Sequence, residues 1–171
     1  RKVHMKVRRT EEKDIEIILN IYDKARRFMA DNGNASQWVN GYPGRKEVEQ
    51  DMSLNRSYVC VDQQDRPVGT FCFFQGEDPA YKVIEGSWKN SEPYGVVHRI
   101  ASDGKGKGIA TFCMNWCEAQ CRNLRIDTHR KNIPMQNFLK GRGFQYCGIV
   151  YMADGTERLA FQKVNHHKQT P

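Results

Sequence analysis

Long apolar runs are missing from this chain. The longest, Phe71–Phe74 and Ile149–Ala153, fall far short of the ~20 residues a helix needs to cross a bilayer, so no membrane partner is expected. Proline is scarce, at six of 171 residues, and neither an internal repeat nor a low-complexity stretch appears. That excludes a fibrous or linker-like chain. No recognition helix, finger spacing or aromatic RNA-binding signature is present, so nucleic acid is not expected as a partner. No secretory segment is seen, and Arg1–His4, which lack an initiator Met, are read as a remnant without functional weight.

What is present is enough for one folded domain. At 171 residues the chain has the usual domain length and buries roughly 70% of its unfolded surface. Hydrophobic residues make up 39% and aromatic ones 11%, too many for disorder. Lys and Arg number 27 against 20 Asp and Glu, a formal charge of +7, which attracts polyanions in general. One basic cluster is N-terminal, with Arg1, Lys2, Lys6, Arg8 and Arg9; the other holds Lys105, Lys107, Arg130, Lys131, Lys140 and Arg142. Six cysteines occur, three of them (Cys113, Cys117 and Cys121) at four-residue spacing. Zinc sites usually draw two ligands from a tight turn, so buried free thiols are expected rather than a metal, and with them a reducing cytoplasm.

Periodicity predicts an alternating order of strands and helices. Met5–Arg9 reads as a first strand and Thr10 as the N-cap of a helix to about residue 31, ended by Asn32-Gly33-Asn34. A short helix follows over Arg45–Leu54, then a hairpin of Ser57–Val61 and Pro67–Phe74. Residues 75–93 read as irregular. Strands are predicted at Tyr94–Ala101 and Leu124–Thr128, helices at Ile109–Arg122 and Met135–Lys140, and a closing hairpin at Phe144–Met152 and Arg158–Val164. On the first of these helices, Ile109, Phe112, Cys113, Trp116, Cys117 and Gln120 are expected to share a face. The fold class is α/β (α+β), a mixed sheet with helices on both faces, in a domain over residues 5–164 with tails at 1–4 and 165–171.

The informative stretch runs from Val96 to Ala110. An apolar strand enters a loop with three alternating glycines, Gly104, Gly106 and Gly108, which opens directly onto a helix. Glycines let the backbone turn sharply and approach a ligand, and the unpaired N–H groups of a helix start favour an anion. Strand, loop and helix end therefore make a phosphate or pyrophosphate pocket, with Lys105 and Lys107 adding charge. The bland alternative is a mere connector. A Walker loop is excluded because no Ser or Thr follows Gly-Lys, and the dinucleotide pattern fails at Thr111.

With these residues in view the chain resembles the GNAT superfamily of acyl-CoA-dependent N-acyltransferases. Lys105-Gly106-Lys107-Gly108-Ile109-Ala110 is similar to the family's Gln/Arg-x-x-Gly-x-Gly/Ala block, with Lys in place of Gln/Arg. Asn132-Ile133-Pro134-Met135 through Phe138-Leu139-Lys140-Gly141-Arg142-Gly143-Phe144 resembles its Asn-x-x-Ala…Leu-Tyr-x-x-x-Gly-Phe block. The resemblance implies a mostly antiparallel sheet of about six or seven strands, splayed between the fourth and fifth. It also implies acetyl-CoA as acyl donor, and acetyl transfer to a primary amine by direct attack on the thioester in a ternary complex. Carried over residue by residue, His98 would offer its N–H to the thioester carbonyl and Ile100 would bind the pantetheine arm. The amides of Gly106–Ala110 would take the pyrophosphate, with Lys105, Lys107 and Lys140 nearby, and Asn132 would steady the pantetheine arm. One departure stands out: Leu139 occupies the position of the tyrosine that protonates the leaving thiolate in many members. A CoA-binding module without turnover is therefore the alternative.

The acid–base residue stays open at this level. His98, Glu85 and Tyr94 are the catalytic candidates; histidine, with an ordinary pKa near 6.5, suits proton acceptance. Asp78 and His129 are secondary candidates that could equally hold a cationic amine. Trp38, Tyr42, Tyr81, Trp88 and Tyr94 are expected to wall the acceptor pocket or to pack in the core. A small amine or amino-acid-like acceptor suits such walls, yet polyamine, amino acid, aminoglycoside, peptide N-terminus and protein lysine all stay open. A homodimer is compatible with the resemblance.

Overall fold

The computed structural model describes residues 4–165, so Arg1 and Lys2 of the first basic cluster and the tail from 166 onward lie outside the described residues. Among the described residues eight strands and four α-helices follow the predicted order, with most ends within two residues of expectation. They are β1 (Lys6–Arg9), α1 (Ile15–Asp31), α2 (Arg45–Ser53), β2 (Ser57–Val61), β3 (Pro67–Gln75), β4 (Glu85–Gly86), β5 (Gly95–Ser102), α3 (Ile109–Gln120), β6 (Asn123–Thr128), α4 (Ile133–Gly141), β7 (Gln145–Tyr151) and β8 (Glu157–Val164). The sheet order is β1-β2-β3-β5-β6-β8-β7-β4. The added strand is β4, which the sequence reading had placed in an irregular segment. β5 and β6 pair in parallel through just Gly95–Leu124 and Val96–Arg125, so their ladder stops where the fourth and fifth predicted strands were expected to part. Among the described residues no helix is long and apolar enough to cross a membrane.

Contacts divide the chain into two compact units, one reaching through Phe73 and including His98–Cys117, the other comprising Phe74–Val97 and the chain from Glu118. In the first, the α1 stripe Ile15, Ile18 and Tyr22 buries against Val59 and Val61 of β2, Val48 of α2, and Trp38. Full burial of each such aliphatic side chain stabilises by about 1.5–3 kcal/mol. Thr10 does not cap α1: its hydroxyl bonds Ser57 at 2.7 Å. The turn Glu12–Asp14 is 3-10 with Glu11 at its N-cap, and the Asp14 carboxylate reaches back to accept from the Glu11 N–H at 2.7 Å, closing a capping box on that turn rather than on α1. Arg8 then grips the same carboxylate through both Nη atoms, at 2.7 and 2.9 Å. On α3, Ile109, Cys113, Met114 and Cys117 are the buried residues. Gln120 is exposed, so the buried face leans toward Met114 rather than along the stripe expected from sequence. All six cysteines are free, five of them buried and Cys121 half-buried.

In the second unit a core gathers Tyr81, Tyr94, Val96 of β5, Val150 of β7 and Ala160 of β8. Glycine makes the β4–β7 pair possible. A Cβ on Gly148 would lie 2.1 Å from the Glu85 carbonyl oxygen, and one on Gly86 would lie 2.2 Å from that of Cys147. Elsewhere Glu118 receives Arg142 and Lys163. Burial pushes the Glu118 carboxyl up, but the hydrogen bonds from Lys163 and Arg142 outweigh it and leave its pKa below the ordinary 4.5. A folded-state pKa below the unfolded value stabilises above the latter and loses that contribution as pH falls through the former. Glu118→Gln is therefore expected to be less stable than the parent at pH 7, with the gap closing below about pH 4. Urea unfolding at both pH values checks this, and a gap independent of pH refutes it.

Candidate functional site: a glycine loop at the head of a helix

β5 ends at Ser102 and the chain turns through Asp103–Gly108 into α3. Asp103 sets the turn from both ends, its N–H donating to the Val68 carbonyl at 2.9 Å and its carboxylate accepting from the Lys105 N–H at 2.9 Å. Gly104 and Gly108 stand at φ +76° and +78°, the left-handed region that residues with a Cβ rarely adopt. The first backbone bond at this end of α3 runs from Phe112 N to Gly108 O, at 2.9 Å. The amides from Gly106 to Thr111 donate to no backbone carbonyl of the described residues. Gly104–Gly108, including Lys105 and Lys107, are exposed. A row of amides without carbonyl partners at the positive end of a twelve-residue helix fits a diphosphate. The sequence-predicted residues Lys105, Gly106, Lys107, Gly108, Ile109 and Ala110 thus form one contiguous patch, which His98 and Ile100, both half-buried, precede on β5.

Trp38 and Tyr42 lie in the same unit and differ in exposure. Trp38 is core, edge-on to the Tyr22 ring at 5.5 Å. Tyr42 is 38% exposed, and its hydroxyl accepts from Arg99 Nη1 at 3.1 Å. Arg99 itself escaped the sequence reading. The signal was there, an arginine between Val96-Val97 and Ile100-Ala101 of a predicted strand, because a buried cation requires a partner. That partner is Asp51 of α2.

In the second unit the aromatic wall predicted for a cationic acceptor already holds a cation. The Arg125 guanidinium lies 4.2 Å from the Trp88 ring centre and 3.9 Å from that of Tyr94, and Nη2 donates to the Asn90 carbonyl at 3.0 Å. Tyr81 is 1% exposed and donates to Asp127 at 2.6 Å, while its carbonyl accepts from Trp88 Nε1 at 3.0 Å. Tyr81, Trp88 and Tyr94 are packing residues here. The Tyr94 hydroxyl accepts from the Asp78 N–H at 3.0 Å. Asp78 in turn caps the 3-10 turn Pro79–Tyr81 through the Ala80 N–H at 2.9 Å. Glu85 is exposed on β4 and accepts from the Tyr151 hydroxyl at 2.8 Å.

His129 follows β6, and its Nδ1 is assigned as acceptor from the Lys131 N–H at 3.0 Å. Burial, together with Arg158, Lys131 and Arg130, holds its pKa below the ordinary 6.5, an environment that opposes taking up a proton. Asn132 is the N-cap of α4, its side-chain oxygen accepting from Met135 N at 3.2 Å. Lys140 is exposed. Leu139 is 0% exposed and has no proton to give.

Comparison with known proteins places this geometry in context. The chain matches the family model for the acetyltransferase (GNAT) family over residues 19–144. No curated protein gives a significant match. A solved GNAT-family acetyltransferase from Streptococcus agalactiae is 31% identical, with 97% of this chain and 100% of that one covered and a TM-score of 0.85. A GNAT-family acetyltransferase from Listeria monocytogenes shares the fold at 18% identity, 95% coverage of each chain and a TM-score of 0.69. So does the NatC complex solved with Gag peptide and CoA, at 15% identity, 94% of this chain and 98% of that one, and a TM-score of 0.54. The strand, glycine loop and helix thus belong to an acetyltransferase fold, and this chain is a member of the GNAT acetyltransferase family.

Proposed function

We propose that residues 5–164 act as one acetyltransferase domain that moves the acetyl group of acetyl-CoA onto the primary amine of a small or amino-acid-like acceptor. The observation that carries this reading is the run of backbone amides from Gly106 to Thr111 without a carbonyl partner, set at the start of α3 directly after β5. These amides, with Lys105 and Lys107, would hold the diphosphate of the coenzyme. The His98 N–H would polarise the thioester carbonyl and Ile100 would hold the pantetheine arm. The amine nitrogen then attacks the carbonyl carbon, the C–S bond breaks, and CoA leaves as a thiolate.

His98 is the proton acceptor in this proposal. Glu85 and Tyr94 are set aside, the first because it is exposed and paired with Tyr151, the second because its ring is stacked on Arg125. His98→Ala is expected to lower turnover at least about tenfold, a floor below the roughly hundred- to ten-thousandfold that general acid–base catalysis typically contributes, while leaving the acetyl-CoA dissociation constant near the parent's. Thiol release across a panel of amines, alongside calorimetric titration with acetyl-CoA, measures both. Full activity in the variant removes the assignment. The burial of Leu139 favours one alternative, a module that binds CoA without turnover. Tight acetyl-CoA binding with no thiol release on any amine would establish it.

A further inference from the structure

We infer that Arg99 is a positioning residue that couples acetyl-CoA binding on β5 to the loop between α1 and α2, an inference that rests on the acetyltransferase reading above. Arg99 sits inside a strand at φ +51°, a conformation that a residue with a long side chain keeps only when its surroundings hold it there. Two groups do so. Asp51, on α2, pairs with Nη2, and the side chains of this pair are 15% and 13% exposed. Tyr42, in the loop, accepts from Nη1 at 3.1 Å. The loop is fastened a second time by Arg26 of α1, whose Nη1 donates to the carbonyls of Tyr42 and Pro43, each at 3.1 Å.

Stability alone does not account for this arrangement. Among the described residues the buried Arg99 Nε has no hydrogen-bond partner, and a buried ion pair is often matched or bettered by apolar residues of similar volume. What the clamp does achieve is local geometry. Arg99 lies between His98 and Ile100, the two residues proposed to meet the thioester and the pantetheine arm. Its left-handed φ decides how their peptide groups face. Anything that shifts Tyr42 or α2 therefore shifts the backbone offered to the coenzyme, and by linkage the coenzyme orders the loop in return.

Tyr42→Phe removes a single hydroxyl from an exposed ring, and Asp51→Asn removes the charge while keeping the shape. Neither residue belongs to the proposed coenzyme patch. Calorimetric titration with acetyl-CoA, with no acceptor present, is expected to show affinity reduced about fivefold or more in each variant, the lower end of typical coupling between sites. Acetyl-CoA is also expected to slow amide hydrogen exchange over residues 36–42 in the parent and not in Tyr42→Phe. A purely structural clamp would lower the melting temperature and leave the affinity of the folded variant unchanged. Should Asp51→Asn fail to fold, Tyr42→Phe decides alone. A parent that binds while Tyr42→Phe binds equally well, or whose exchange ignores acetyl-CoA, overturns the inference by itself. A parent that gives no heat with acetyl-CoA overturns the acetyltransferase reading and the inference with it.

Discussion

Replacing Gly106 and Gly108 together by valine is expected to weaken acetyl-CoA binding at least about a hundredfold, or roughly 2.7 kcal/mol. Gly108 stands at φ +78°, where a β-branched residue is strained, so the turn into α3 must change its path. At Gly106 a new Cβ would lie 3.1 Å from Ile109 Cδ1, and the valine methyls would stand over the amides that the diphosphate needs. Both effects strike the same row of donors, and few other groups can replace it. The loop is exposed, so the strain at residue 108, about 1–3 kcal/mol, should lower the melting temperature without ligand by only a few degrees per kcal/mol and leave the variant folded. Calorimetry with acetyl-CoA is the measurement. A double variant that binds like the parent removes the proposed coenzyme site, whatever its activity.

Arg8→Ala is expected to cost about 3–5 kcal/mol of stability, the range for breaking a buried ion pair from one side. The cost arises at Asp14, which is 1% exposed and would keep only the Glu11 N–H after losing both guanidinium bonds. A carboxylate left in that position has neither water nor a cation to stabilise it. For a chain of this length each kcal/mol moves the midpoint by about 2–4 °C, so a fall of roughly 6–20 °C should appear in thermal unfolding. Replacing both partners by apolar residues, as in Arg8→Met with Asp14→Leu, should recover much of the loss because no charge is then stranded. A change below about 1 kcal/mol in Arg8→Ala would mean that water reaches Asp14, as for an ordinary surface pair.

The order of elements was legible because each carries its own period. Ile15, Ile18 and Tyr22 mark α1, the Asp62–Arg66 turn marks the first hairpin, and Asp154-Gly155 marks the last. The glycine loop was legible for the same reason, since backbone conformation and neighbouring charge are local properties. β4 was not legible: two residues hold no periodicity, and what makes Glu85–Gly86 a strand is Gly148, some sixty positions on, which permits the close approach.

Side-chain roles at the site divide along the same line. From sequence, Trp88 and Tyr94 suit an acceptor cation, and Arg125 is one charged residue among many; only the folded chain shows that Arg125 fills the space between those rings. Thr10 qualifies as a cap by residue type, yet its hydroxyl was claimed by Ser57, forty-seven residues away. What the sequence determined by itself was the family, the glycine turn ahead of α3 and the alternation of helix and strand, all set by residues within a few positions of one another. Which aromatic ring is buried, which ones stack on Arg125, and why an arginine can stand in a left-handed conformation within β5, was decided by tertiary structure. Those outcomes depend on partners distant in sequence, and burial forces every charge to find one.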